Sequence, residues 1–397
     1  MSNRPNVACR ACGEGVMADF IGVGTGRRRQ LHEPTVLSHA EFASGGATLR
    51  AIFTGTGMAR RFEIAVLGAG GPVGEALIEG IAERRFPAGE ISALALNPES
   101  GEFVTIGGLE LAVENAETFD FSQVDLTFLV EADEQLAAQA ERAADAGCAV
   151  IDASGLAWRD PAIPVVVPEL NATAMANYAE RGIIANPSRL TVALALALAP
   201  LNAAAGLRRL SLTGLLAASD GGRVALEDLA RETTALLNAR HYERRHFPQQ
   251  IAFNLHGQSG TAEGDGYTAI EARIGREMTR LLGLDTLDCS ATLVQAPSFY
   301  GHAAVVEAGF ERPLEAGRAA EALRGAPGVE FIESPSAEDC PTPVTDGTQS
   351  EAVRVARLRA SPVFGHGLAF WLTADNIRRC AALNALGNAE ILIRDYL

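Results

Sequence analysis

The stretch FEIAVLGAGGPVGEALIEGIAERRF, residues 62–86, puts three physical signals in order. Residues 62–67 are a short β-prone run, 68–74 a glycine-rich turn, and 75–83 have helical composition. A strand, a tight loop and a helix N-terminus place backbone N–H groups and the positive end of a helix dipole where a pyrophosphate would sit. Gly68, Gly71 and Gly74 depart from the commonest G-x-G-x-x-G spacing, although Gly70 brings the run close to it. A second reading therefore stays open, in which the glycines serve only to pack strand against helix. On the first reading Gly68, Gly70, Gly71, Val73 and Gly74 are the cofactor-binding candidates. Downstream, ISALAL (91–96), VDLTFLV (124–130) and CAVIDAS (148–154) read as further strands. They alternate with helical stretches such as EQLAAQAERAADAG (134–147), which predicts a parallel, doubly wound sheet.

The 397 residues, 48% hydrophobic and 21% charged, can bury a substantial core and divide into two domains. A formal charge of -16 and a pI near 5.0 leave no basic stripe for nucleic acid or an anionic membrane, so a small or neutral partner is expected. The longest apolar run, LTVALALALAPL at 190–201, is too short to span a bilayer. Six scattered cysteines predict free thiols in a reducing compartment, hence a cytoplasmic protein. Cys9 and Cys12 form one CxxC with no second pair nearby, so no metal site is expected. Residues 1–57 have many glycines and no sustained apolar face; they read as a disordered leader, with Met58 a candidate natural start. After the second strand, NPESGE (97–102) carries Glu99 and Glu102. Acids there favour a free ribose hydroxyl and so NAD over NADP, unless they only solvate the loop.

From about residue 205 the pattern changes. LRRLSLTGLLAASD (207–220) and SATLVQAPSFYGHAAVVEAGFE (290–311) read as strands, with a long helical stretch at 222–240 between them. YTAIEARIGREMTRLLG (267–283) reads as an amphipathic helix. This is an α+β layer rather than another βαβ repeat. The segment 373–397 reads as a terminal helix capped by Asp375 or Asn376. At IIANPSRLTV (183–192) a helix opens with a charged side chain, Arg189, at its mouth.

Several long segments, in order, resemble the aspartate-semialdehyde dehydrogenase family from about Ile64 onward. They include VLGAGGPVG, IDASGLAWRDPAIPVVVPELN, IANPSRLT, IAFN, GYTAIEARIGREMTRLLG, YGHAAVVE, PTPV and ADNIRRCAALNA. The resemblance implies an α/β plus α+β chain: a Rossmann-type doubly wound domain over 58–188, then a semialdehyde-dehydrogenase dimerisation domain over 189–374 that makes a homodimer. It also implies that the terminal helix, 375–397, packs back onto the first domain.

In active members of that family a cysteine at a helix N-terminus attacks the aldehyde, hydride leaves to NADP, and phosphate resolves the thioester. The family's Asn-Pro-Asn-Cys falls on Asn186, Pro187, Ser188 and Arg189, so a guanidinium stands at the nucleophile position. Arginine has no nucleophilic form at physiological pH, and the covalent route cannot start there. The general-base position is retained as His302, whereas Gln295 stands where the family has an arginine for the substrate carboxylate. Glu271 matches the residue that meets the substrate amino group, and Arg273 replaces a phosphate-binding lysine with its charge kept. A second phosphate-binding arginine falls on Trp158, with Arg159 beside it as a substitute. A glycine-containing cofactor stretch falls on Val130, Glu131, Ala132 and Asp133; residues for the 2'-phosphate fall on Pro98 and Glu102, and a terminal-helix glutamine on Gly387. Cys148, Cys289, Cys340 and Cys380 do not align with the helix mouth and read as packing or surface residues.

Losses thus cluster in both pockets while the framework stays recognisable, as in the Usg-type relatives that lack the cysteine. The expected protein is a catalytically degenerate homodimer that acts by binding a small anion or a protein partner. Arg189 either holds that anion, with Arg273 near, or points outward or pairs internally with Glu131, Asp133 or Glu271. The alternative is an NAD(P)-dependent oxidoreductase of amino-acid biosynthesis acting on an aldehyde or oxo group, with His302 as base and Arg189 as electrophile clamp.

Overall fold

In the computed structural model, which describes residues 60–397, β1 (Phe62–Leu67) runs through the middle of a seven-stranded sheet. The leader, Met58 and the Cys9/Cys12 pair lie outside the described residues. After β1 come α1 (Pro72–Glu83), β2 (Ala88–Ala95), β3 (Phe103–Ile106), β4 (Leu109–Asn115), β5 (Leu126–Leu129), α2 (Glu134–Asp145), β6 (Ala149–Asp152), the short α3 (Pro168–Asn171) and β7 (Ile183–Ala185). The strand order is β3-β4-β2-β1-β5-β6-β7. Every pairing in it is parallel except β3 with β4. The parallel, doubly wound sheet expected from the sequence thus carries one antiparallel edge strand. Its cause is Gly107–Gly108, both at positive φ, the two-residue turn that folds a hairpin without splaying its strands.

Helix α4 (Arg189–Ala205) leads out of the first sheet, and from Leu190 to Leu198 every residue is buried. A helix apolar on all sides belongs inside a core rather than on a surface. One hydrophobic cluster accordingly runs from Leu67, Leu129 and Val150 through α4 to Leu210, Val306 and Leu372. The second sheet comprises β8 (Leu207–Leu216), β9 (Asp288–Gln295), β10 (His302–Phe310), β11 (Val329–Ile332), β12 (Val353–Ala360) and β13 (Gly367–Ala374). Its order is β11-β12-β13-β10-β8-β9 and its pairing mixed. Helices α5 (Gly222–Leu237), α6 (Ala269–Leu282) and α7 (Ala316–Arg324) accompany it.

The final helix, α8 (Leu383–Asp395), is entered through a π-helical turn at Arg378–Ala382. Asp375 caps that turn by accepting from the N–H groups of Ile377 and Arg378. Asn376 instead accepts from Gly301 N–H and bonds the Ser219 hydroxyl. Leu383, Leu386, Ala389 and Leu392 of α8 join Val66, Leu77 and Ile81 in a second core on the other face of the first sheet. A Cβ at Gly387 would stand 3.0 Å from Pro168 Cγ. The position aligned with a cofactor-contacting glutamine is therefore a close packing contact between α8 and α3.

Candidate functional site

Ser188 is the N-cap of α4, but its hydroxyl does not reach back to the helix's free N–H groups. A carboxylate from another helix takes over. Glu277 of α6, fully buried, accepts from Ser188 N–H at 3.0 and 3.1 Å and from Ser188 Oγ at 2.7 Å. Its negative charge sits at the positive end of the α4 dipole. It is balanced by Arg273 one turn earlier, whose Nε donates to Glu277 Oε1 at 2.8 Å. Arg273 Nη2 also lies 2.7 Å from that oxygen, without hydrogen-bond alignment. Arg273 Nη1 donates to Gly155 O at 2.7 Å, and the guanidinium stacks 4.8 Å from the Trp158 ring. Asp152 holds that covering loop by accepting from the N–H groups of Ser154, Gly155, Leu156 and Ala157.

Arg189 follows as the first helical residue. Its Nη1 donates to Asp220 Oδ1 at 3.0 Å and lies 3.3 and 3.4 Å from the carbonyls of Asp220 and Ser219. The same Oδ1 receives His302 Nε2 at 3.1 Å. His302 Nδ1 faces Ala217 N–H at 3.2 Å. A backbone N–H can only donate, so Nδ1 is the acceptor and the proton resides on Nε2. Burial would push the Asp220 carboxyl up, but the Arg189 charge and the His302 hydrogen bond outweigh it and hold it well below the usual carboxylate range.

Arg189 and His302 are thus brought together, through Asp220. Its partner is neither Glu131, Asp133 nor Glu271, a correction to the expected pairing. Glu271 is spent elsewhere: with Thr268 it forms a reciprocal capping box at the start of α6, and its other oxygen accepts from Leu293 N–H at 2.8 Å. Gln295 donates Nε2 to Leu216 O at 2.9 Å, which fixes the end of β9 to β8 rather than presenting an amide to a ligand. Retained as a residue, His302 has no free lone pair on Nε2, so the base role is not available in this arrangement. Arg159 does not replace the lost phosphate arginine; it lies 3.6 Å from Glu134 on the surface.

Cys148, Cys289 and Cys380 are not poised as substitute nucleophiles. Burial raises the Cys148 thiol, pushes Cys289 up to about 11 and Cys380 up to about 12. Asp220 and Glu277 were missed in the sequence; the one visible signal was an acid inside the apolar stripe Ile274, Met278, Leu281 of α6. Among the described residues no His, Cys, Asp and Glu group converges on a metal position.

At the glycine-rich loop the backbone is that of a nucleotide cradle. Gly68 lies at positive φ, and a Cβ at Gly74 would stand 2.7 Å from Ala69 Cα, which explains the need for glycine at both. Val73 contributes its side chain to the core, so only its backbone faces the loop. Two acidic side chains stand beside the cradle. Glu131, just past β5, lies against Gly68, with Cβ 2.6 Å and Oε2 3.1 Å from where a Gly68 Cβ would be. Asp133 is the N-cap of α2, accepting from Gln135 and Leu136 N–H.

Two family profiles match the chain: "Semialdehyde dehydrogenase, NAD binding domain" over residues 63–178 and "Semialdehyde dehydrogenase, dimerisation domain" over 198–379. An aspartate-semialdehyde dehydrogenase of Shewanella violacea is 36% identical over 339 residues, 85% of this chain and 100% of the relative. A USG-1 protein homolog of Pseudomonas aeruginosa is 38% identical over 340 residues, 86% and 100% of the two chains. The crystal structure of aspartate semialdehyde dehydrogenase II from Vibrio cholerae superimposes with a TM-score of 0.81 at 36% identity, covering 85% of this chain and 100% of that one. Identity to the two kinds of relative is nearly equal, so only the site can separate them.

Proposed function

The chain belongs to the aspartate-semialdehyde dehydrogenase family, and from that premise we propose that it is a homodimer that has lost the family's thioester step and works by binding. One observation carries the reading: at the mouth of α4 a guanidinium replaces the thiol and is locked to Asp220, which also accepts a hydrogen bond from His302 Nε2. The helix end that lowers a thiol pKa in active members here faces a fixed cation with an internal counter-ion. Because Asp220 already occupies Arg189, a small anion would have to displace it. The pocket is self-satisfied, and a protein surface is the better candidate for the contact the molecule makes.

Support for the homodimer comes from the second sheet. Along β8 the buried Leu207, Leu210 and Leu212 alternate with exposed Arg209, Ser211 and Thr213. Val305 on the neighbouring β10, paired with Thr213, is 44% exposed. A β-branched residue set in an outward-facing row of a central strand is what a sheet-to-sheet contact between two copies would cover.

The test is phosphate-dependent turnover of aspartate semialdehyde by the purified protein with NADP or NAD, beside Arg189→Cys. The expected result is no reduced nicotinamide from the wild type. Turnover that survives thiol alkylation would overturn the proposal and require a non-covalent hydride transfer.

A further inference from the structure

We infer that the glycine-rich loop has become a fastener between the two domains, bolted by Arg223 from the second domain and plugged by Glu131 from the first. The inference rests on the reading that this chain has left the dehydrogenase reaction, since a working enzyme needs the loop for its cofactor.

Arg223 stands in the first turn of α5, beyond Gly222, which adopts positive φ. Its Nη2 donates to Gly70 O at 2.6 Å and to Glu75 Oε1 at 2.6 Å. It therefore grips the glycine loop by a backbone carbonyl and the first turn of α1 by a carboxylate. Glu75 at the N-terminus of α1 already satisfies the helix dipole. Glu131 fills the other side of the loop: its side chain rests against Gly68, where the absence of a Cβ ordinarily lets a diphosphate approach the backbone. The Glu131 carboxyl is pushed up by desolvation and by neighbouring Asp133, so the spot disfavours negative charge before any ligand arrives. Asp133 cannot move away without uncapping α2.

Arg223 is also three residues from Asp220. One short turn thus supplies the counter-ion of Arg189 and the bolt of the glycine loop, which joins the two altered pockets mechanically.

The experiment titrates NADH and NADPH by fluorescence into the wild type, Glu131→Gly, Arg223→Ala and the double variant, and measures hydrogen exchange of the loop amides in Arg223→Ala. Removing plug and bolt is expected to tighten nucleotide binding by about tenfold or more, and Arg223→Ala to speed exchange at Gly70 and Gly71 about tenfold. A wild type that binds as tightly as the double variant overturns the inference. So does a cooperatively folded double variant with no gain, or loop amides that exchange at the wild-type rate. If the double variant does not fold, the single variants decide: a gain in either supports the inference and none in both overturns it. A wild type silent in turnover that binds NADPH as tightly as the variants defeats this inference alone; wild-type turnover defeats the loss of the thioester step.

Discussion

The mouth of α4 and the glycine-rich loop are both helix N-termini, and side chains are arranged around them in opposite ways. At α4 the buried carboxylate of Glu277 supplies the negative charge from within and Arg189 is neutralised by Asp220. At α1 the backbone keeps the shape of a cradle, with Glu131 against Gly68 and Arg223 donating to Gly70 O. Backbone geometry such as the Gly74–Ala69 contact persists because packing demands it, whatever happens to the chemistry. Side chains that only served a reaction are free to be replaced.

The largest effect should come from breaking the α4 side. Glu277→Ala removes the counter-ion of the half-buried Arg273 and uncaps α4, at a cost of about 3–5 kcal/mol, read by urea unfolding; a loss under about 1 kcal/mol would show that the helix mouth does not depend on that carboxylate. Gly74→Ala should come next on the α1 side. Helix propensity favours alanine by up to about 1 kcal/mol, but overpacking against the Ala69 backbone costs about 1–3 kcal/mol, so a net loss is expected in thermal melts.

Asp220→Ala sharpens the contrast. Leaving Arg189 without a counter-ion should cost about 1–3 kcal/mol and create a thermal shift with sulfate or small carboxylates that the wild type lacks. A wild-type shift of equal size would mean that Asp220 does not fill the site.

The smallest effect concerns pH. Because the folded Asp220 carboxyl is depressed, its contribution is complete above the unfolded carboxyl value, near 3.9, and is lost as pH falls through the folded value. The stability difference between the wild type and Asp220→Asn should be flat from about pH 8 to 5 and shrink only below about pH 4. A slope between 8 and 5 would show that a group other than Asp220 sets the difference.

Much of the framework was legible because it is local: the strand, turn and helix of residues 62–86, the period of α6, and the charged residue opening α4. Asp220 and Glu277 were not legible, because they meet their partners across 82 and 89 residues, which only the folded core brings together. Glu271 carries a different lesson. Thr268-x-x-Glu271 is the spacing of a capping box, so the local signal was present in the sequence. Analogy to a substrate contact hid it. The β3–β4 hairpin was likewise announced by Gly107–Gly108.

Asn186, three residues before Arg189, donates to Ala381 O and accepts from Asn384 and Asn388 of α8. The same helix covers one face of the first sheet. During synthesis the seven strands of that sheet are therefore all made by residue 185, yet the face that α1 covers in part is completed only when about two hundred further residues have left the ribosome. The first half of this protein is born early and finished last, and it will need shielding from its neighbours for most of its own translation.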